Sequence, residues 1–120
     1  MIEILQELLF RLRAGPRSTL RWVFDRLTDR FQDRRFGIES AERRSSGSSS
    51  VDFMPYQPVS YRDMQELLAA LETGPQDVFL DIGSGMGRAV CVAAMRPFRS
   101  VIGIEISDEL SELARRNIQR

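Results

Sequence analysis

No histidine and no lysine occur anywhere in the 120 residues, and there is a single cysteine, Cys91. Without histidine or paired cysteines there is no zinc ligand set and no His-based nucleophilic triad. One cysteine cannot build a disulfide framework. Any chemistry must therefore come from a bound organic cofactor, and no metal site is expected. With lysine missing, arginine is the whole basic complement, and 17 basic residues face 17 acids. That balance leaves no global field to recruit nucleic acid or an anionic membrane. No run approaches the roughly 18 apolar residues that a membrane span requires. Residues 1–13 place Ile2, Leu5, Leu8, Leu9 and Leu12 on one helical face. Glu3, Gln6 and Glu7 interrupt the run and no basic leader precedes it, which argues against a signal peptide; a cytoplasmic location is expected.

What is present centres on Val78-Phe79-Leu80-Asp81-Ile82-Gly83-Ser84-Gly85-Met86-Gly87-Arg88. An apolar run ends in an acid and then breaks into three glycines at alternate positions. The run reads as a parallel strand covered on both faces, and the glycines as a turn whose bare main chain can lie against a ligand. The apolar density of Ala89-Val90-Cys91-Val92-Ala93-Ala94-Met95 then predicts a helix packed on the sheet, with free amides and a positive dipole end at the turn. Arg88 is expected to be a surface or helix-start residue and Cys91 a small core residue. A second short strand, Val101-Ile102-Gly103-Ile104, ends in Glu105. The 17 residues from Gly83 to Arg99 suffice for a crossover helix between parallel strands. Glu105 thus belongs beside the glycine turn, where a carboxylate can accept hydrogen bonds from both hydroxyls of a ribose.

The turn distinguishes between nucleoside cofactors. A dinucleotide fingerprint needs Gly-x-Gly-x-x-Gly, but counted from Gly83 the third glycine is Arg88, and counted from Gly85 it is Val90. Asp81 would repel a pyrophosphate and favour the ammonium and sulfonium of S-adenosyl-L-methionine. The pattern Asp-x-Gly-x-Gly-x-Gly, followed by a strand ending Gly-Ile-Glu, resembles the class I S-adenosylmethionine-dependent methyltransferases. Phe79 to Arg88, the Ala93-Ala94 pair and Ile102-Gly103-Ile104-Glu105 are most similar to the disruptor-of-telomeric-silencing (DOT) histone-lysine methyltransferases and their small bacterial relatives. Tyr56-Gln57-Pro58-Val59-Ser60 stands where those enzymes carry a Tyr-rich cofactor-covering segment with an acid and a threonine; those two positions are Pro58 and Val59 here. Asp33-Arg34-Arg35-Phe36-Gly37-Ile38-Glu39-Ser40 resembles a segment of bacterial methyltransferases with this domain and carries no chemistry legible from its residues.

Elsewhere the pattern is helical. Leu20, Val23, Phe24, Leu27 and Phe31 form a stripe after Ser18 or Thr19 as N-cap. Arg21, Asp25, Arg26, Asp29, Arg30 and Asp33 read as its solvated face, laced with pairs four apart; a substrate- or membrane-docking role is the alternative. Arg43-Arg44-Ser45-Ser46-Gly47-Ser48-Ser49-Ser50 reads as a flexible linker. Ser60 with Asp63 resembles a capping box, opening a helix whose buried stripe is Met64, Leu67, Leu68 and Leu71 and which ends near Gly74-Pro75. That helix should carry Tyr56 over the cofactor mouth. Tyr56 and Tyr61 either wall the cofactor or pack the linker end. Ser107 or Asp108 caps a last helix with Leu110, Leu113, Ala114 and Ile118.

The expected architecture is therefore α/β: the N-terminal half of a Rossmann-like class I methyltransferase fold, with β-α-β-α present and helices before it. The divisions fall at 1–42 (helical extension), 43–52 (Ser-rich linker) and 53–120 (cofactor-binding half). Candidate cofactor-binding residues are Tyr56, Asp81, Gly83, Ser84, Gly85, Gly87, Glu105 and Ile106. Catalytic residues are expected in a remaining C-terminal half of the domain, because the chain stops in the helix after the second strand. The resemblance implies in-line methyl transfer to an acceptor nucleophile, a protein lysine or a small molecule, with S-adenosylhomocysteine leaving as a neutral thioether. A cofactor-binding or interaction module without catalysis is the alternative. A nicotinamide-dependent oxidoreductase is disfavoured by the glycine spacing.

Overall fold

The computed structural model describes residues 6, 10, 11, 13, 15–40 and 56–119. The expected stripe of Ile2, Leu5, Leu8, Leu9 and Leu12 and the Ser-rich linker lie outside the described residues. The elements run α1 (Pro16–Phe36), α2 (Tyr61–Ala70), β1 (Val78–Ile82), α3 (Arg88–Ala94), β2 (Ser100–Ile104) and α4 (Asp108–Ile118). β1 and β2 pair in parallel, Val78 opposite Ser100 and Ile82 opposite Ile104. This is an α/β fold in which N-terminal helices precede a small parallel sheet, as a partial Rossmann-like methyltransferase fold requires.

Helix α3 holds the unit together, touching both strands and both α2 and α4. Ala89, Val92 and Ala93 are buried in one cluster with Ile38, Tyr61, Met64 and Leu68, and Phe79 and Val101 pack on it from the sheet. Small residues on α3 let the neighbouring elements approach closely. Only this face of the sheet is covered. Val78, Leu80, Ile82, Ile102 and Ile104 point the other way and are exposed, so the expectation of strands buried on both faces is corrected: α3 covers one face, with α2 and α4 packed on α3 and α1 on α2. Among the described residues nothing lies on the outer face.

The N-terminal helix departs furthest from its sequence pattern. It begins at Pro16, where a missing N–H is no loss, and the Ser18 and Thr19 hydroxyls donate to the Gly15 carbonyl from inside its first turn rather than capping it. It stops at Gly37, whose left-handed conformation lets the N–H groups of Gly37 and Ile38 bond the Arg34 and Asp33 carbonyls. Its apolar stripe faces outward: Leu20 is 71% exposed, and Phe24, Leu27 and Phe31 are also exposed. Asp25, Asp29 and Asp33, one turn apart from each other, face inward. Asp29 accepts the Tyr61 N–H at 3.0 Å, Asp33 accepts the Tyr61 hydroxyl at 2.7 Å, and Asp25 meets Arg62 at 3.4 Å. The acids read as solvated are thus the packing face, because the surface they meet is cationic and donor-rich.

Two smaller corrections have the same origin. In α2, Ser60 accepts the Asp63 N–H as the capping pattern predicts, and Tyr61, Met64 and Leu68 are buried, but Leu67 and Leu71 are exposed. The helix ends at Ala70, short of Gly74-Pro75, and contacts its neighbours through one narrow face. In α4, Ser107 caps Leu110, and Leu110, Leu113 and Ala114 are buried while Ile118 is exposed.

Candidate functional site

The pairing of the strands brings their carboxyl ends side by side, and the glycine turn begins there. The N–H groups of Gly83 and Ser84 both bond the Ile104 carbonyl, at 2.7 and 3.0 Å, so the ladder runs one step past β1 and fixes where the turn starts. Glu105 then anchors the turn from the second strand. Its Oε2 accepts the Gly85 N–H at 2.7 Å and its Oε1 accepts the Ser107 N–H at 2.8 Å. One carboxylate therefore joins the middle of the turn to the start of α4. Each oxygen keeps a further lone pair, so the group is placed for additional donors without being spent.

Asp81 lies on β1 opposite Gly103, half-buried. Burial raises its carboxyl pKa, and the charge of Glu105 raises it further. Two carboxylates thus share the mouth of the turn. Among the described residues no hydrogen-bond or ion-pair partner is found for Asp81. Such a pair suits a ligand carrying positive charge and opposes a pyrophosphate.

The glycines differ in what surrounds them. A Cβ on Gly83 would meet nothing within 4 Å, so that side of the turn is open to a ligand. A Cβ on Gly85 would overlap the Tyr56 ring, and the residue has φ +54°. Gly87, at φ +83°, is where α4 packs on the turn: a Cβ there would lie 3.1 Å from that of Ala114. Both positions combine left-handed backbone with close approach, and only glycine meets both demands. Between them Met86 is 2% exposed, packed with Leu110, Leu113 and Tyr56. Ser84 is buried against Gly103, with its backbone in the turn and its side chain in the core. Ile106 is exposed beside Glu105. Tyr56 lies across Gly85, and burial pushes its phenol up to about 12, so it stays protonated. Tyr61 instead packs in the core and donates to Asp33. Of the eight candidates, the structure gathers Tyr56, Asp81, Gly83, Gly85 and Glu105 around the turn, places Ile106 at its rim, and gives the Gly87 position and the Ser84 side chain to packing.

Three residues escaped the sequence reading. Arg88, expected at the surface, is 1% exposed; it does begin α3, but its guanidinium reaches Asp29 Oδ2 at 2.6 Å and Asp33 Oδ2 at 3.3 Å and lies over the Tyr61 ring. The four-residue spacing of the acids was the available signal. Gly103 sits where any side chain would collide with Ser84 and Val90, and a glycine inside a strand does mark such an approach. Asn117 bonds both Met86 and Glu39, a pairing no local pattern announces. Separately, a cleft of about 550 Å³ opens between α1 and residues 57–60. Its walls carry arginines and aspartates, and Trp22 lies there between Arg11 and Arg26 at 5.4 and 5.3 Å.

Comparison with known proteins places the chain in a family. A family model described as "Histone methylation protein DOT1" matches residues 35–120. A histone-lysine N-methyltransferase, H3 lysine-79 specific, from Caenorhabditis elegans is 38% identical over 60 residues, covering 49% of this chain and 6% of that protein. Its counterpart from Drosophila melanogaster is 36% identical over 62 residues, covering 51% of this chain and 3% of that protein. The chain thus spans only a small part of the length of these relatives. No solved structure matches. The family match covers well over half of the chain and includes both strands, the glycine turn and the helix that follows each strand; the chain belongs to the family of histone methylation protein DOT1.

Proposed function

We propose that this chain carries the cofactor-binding part of an S-adenosyl-L-methionine-dependent methyltransferase. The observation that carries the reading is the pair of carboxylates, Asp81 and Glu105, set by two paired strands at the mouth of an open glycine turn, with Glu105 held by the Gly85 and Ser107 amides. The residues fit that cofactor. Glu105, fixed by the Gly85 and Ser107 amides, would take the ribose hydroxyls. Asp81 would face the ammonium. Gly83 leaves the main chain bare, Ile106 offers an exposed apolar surface for the adenine, and Tyr56 would close the pocket over Gly85. When bound, S-adenosylmethionine supplies a methyl group on a sulfonium, released to an acceptor nucleophile. The part played by these residues is to hold and orient.

Family membership supports a protein lysine as acceptor, and we propose it as such. A second reading, a cofactor-binding module without transfer, draws on one observation. Pro58 and Val59 occupy the positions of an acid and a threonine in the DOT enzymes, and the Val59 carbonyl is engaged by Arg88 at 3.0 Å.

Calorimetry on the chain should show S-adenosylhomocysteine binding at least about tenfold more tightly than nicotinamide dinucleotides, a gap of ~1.4 kcal/mol. The reverse order would sink the proposal. Glu105→Ala should weaken S-adenosylhomocysteine on the order of 10- to 100-fold, since hydrogen bonds to a charged acceptor are lost. Unchanged affinity in a folded variant would leave Glu105 as a clamp for the turn alone. Methylation of a lysine-containing protein mixture by a longer chain carrying these residues, absent when Glu105 is replaced, separates the enzyme from the module.

A further inference from the structure

Residues 33–40 carry no evident chemistry, yet two buried polar side chains from the elements that flank the glycine turn both end on them. Arg88, the first residue after Gly87, donates from Nε to Ser40 Oγ at 2.8 Å and from its two terminal nitrogens to Asp29, Asp33 and the Val59 carbonyl. Asn117, on α4, accepts the Glu39 N–H at 3.0 Å and donates to the Glu39 carbonyl at 3.0 Å and to the Met86 carbonyl at 2.9 Å. Met86 is inside the turn. Ser40 is itself fixed, its N–H and hydroxyl both donating to Asp33, and its carbonyl accepts the Tyr56 hydroxyl at 3.4 Å. Residues 39 and 40 are therefore tied to position 86, to position 88, and to the tyrosine that lies over position 85.

We infer that Arg88 and Asn117 are positioning residues, which with Glu39 and Ser40 brace the glycine turn in the shape that presents Gly83, Gly85 and Glu105 to the cofactor. The physical need is clear. A turn with glycine at alternate positions has wide backbone freedom, and binding would have to remove it. Arg88 and Asn117 are 1% and 4% exposed, so a turn that moved would draw the buried Arg88 guanidinium, next in the chain to Gly87, off Asp29, Asp33 and Ser40, and would take the Met86 carbonyl from the buried Asn117 amide. The brace removes that freedom before the ligand arrives. An apolar contact would fill the same space without selecting one turn conformation, because it is not directional.

The inference rests on the cofactor reading, and two readouts keep them apart. Asn117→Asp keeps the size and the acceptor for the Glu39 N–H but loses the donors to Glu39 and Met86. Ser40→Ala removes the hydroxyl between Arg88 and Asp33 and is the milder change should the first variant not fold. In the ligand-free chain, amide hydrogen exchange at residues 83–88 should accelerate at least about tenfold in either variant while exchange in β1 and α2 stays as in the wild type. Affinity for S-adenosylhomocysteine should fall about 5- to 30-fold. Exchange that rises equally in β1 and α2 would reduce these residues to general stability and overturn the brace, as would unchanged exchange at residues 83–88. A faster-exchanging turn with undiminished affinity would also overturn it. If the wild-type chain binds no S-adenosylhomocysteine, the cofactor reading falls, and the exchange data still decide whether the turn is braced.

Discussion

Asp81 and Glu105 end neighbouring strands, yet they differ in what holds them. Glu105 is bonded by two backbone amides, whereas Asp81 is half-buried with its charged form opposed by burial and by Glu105. The sign of the resulting pH dependence follows. A carboxyl whose folded-state pKa is raised above its ordinary 3.8 contributes stability that is fully present below that value and lost as pH rises through the raised pKa. Asp81→Asn should therefore raise the thermal midpoint at pH 7, and the gap from wild type should close as the pH falls to about 4. A lower midpoint in the variant at pH 7 would mean that the carboxylate has a stabilising partner. Gly87 gives a second test at this scale. Gly87→Ala puts a Cβ at φ +83° and 3.1 Å from that of Ala114, which should cost about 1–2 kcal/mol from the backbone term alone, measured by urea unfolding. A cost near zero would show that α4 can shift off the turn freely.

Among the elements, α1 shows how a partner overrides a pattern. Its sequence has an apolar stripe and an ionic face, and periodicity alone favours burying the stripe. The structure turns the ionic face inward because Arg88 and the start of α2 require acceptors there, and Asp29 and Asp33 supply them one turn apart. Replacing Arg88 with Met would leave two largely buried carboxylates without their cation and should cost about 3–5 kcal/mol by denaturant unfolding. The Arg21–Asp63 pair also makes a short contact, 2.9 Å, but both side chains are half-exposed. Arg21→Met should cost at most about 1 kcal/mol. Similar costs for the two substitutions would contradict the inward orientation of α1.

At the scale of the whole molecule, the described residues expose two apolar surfaces, the stripe on α1 and the outer face of the sheet, where Ile82 is 78% exposed. Among the described residues the sheet has two strands, each with an open edge. Apolar faces and unpaired edges of this kind promote association. Sedimentation velocity on the chain should show mass rising with concentration, and Ile82→Ser combined with Ile104→Ser should reduce that rise. Monomeric behaviour of the unaltered chain throughout the concentration range would show that neither face associates. Among the described residues no helix is long and apolar enough to cross a membrane.

Local patterns were enough to read the acid-ended strands, the glycine turn, the helix between the strands, the Ser60 cap and a cap at Ser107 or Asp108, because each depends on residues within a few positions of one another and on backbone preferences that neighbours do not reverse. The resemblance carried by those same residues led to the family. What the sequence left open were the long-range polar partners. Arg88 and Asp29 are 59 positions apart, and Asn117 and Glu39 are 78 apart, so no period or spacing relates them. Only the packing of α1, α3 and α4 around one turn brings them together, and it decided that the acids of α1 face in, that its leucines face out, and that residues 33–40 hold the glycine turn. The physical reason is that a buried charge must be paired, which is a stronger demand than leaving an apolar stripe in water.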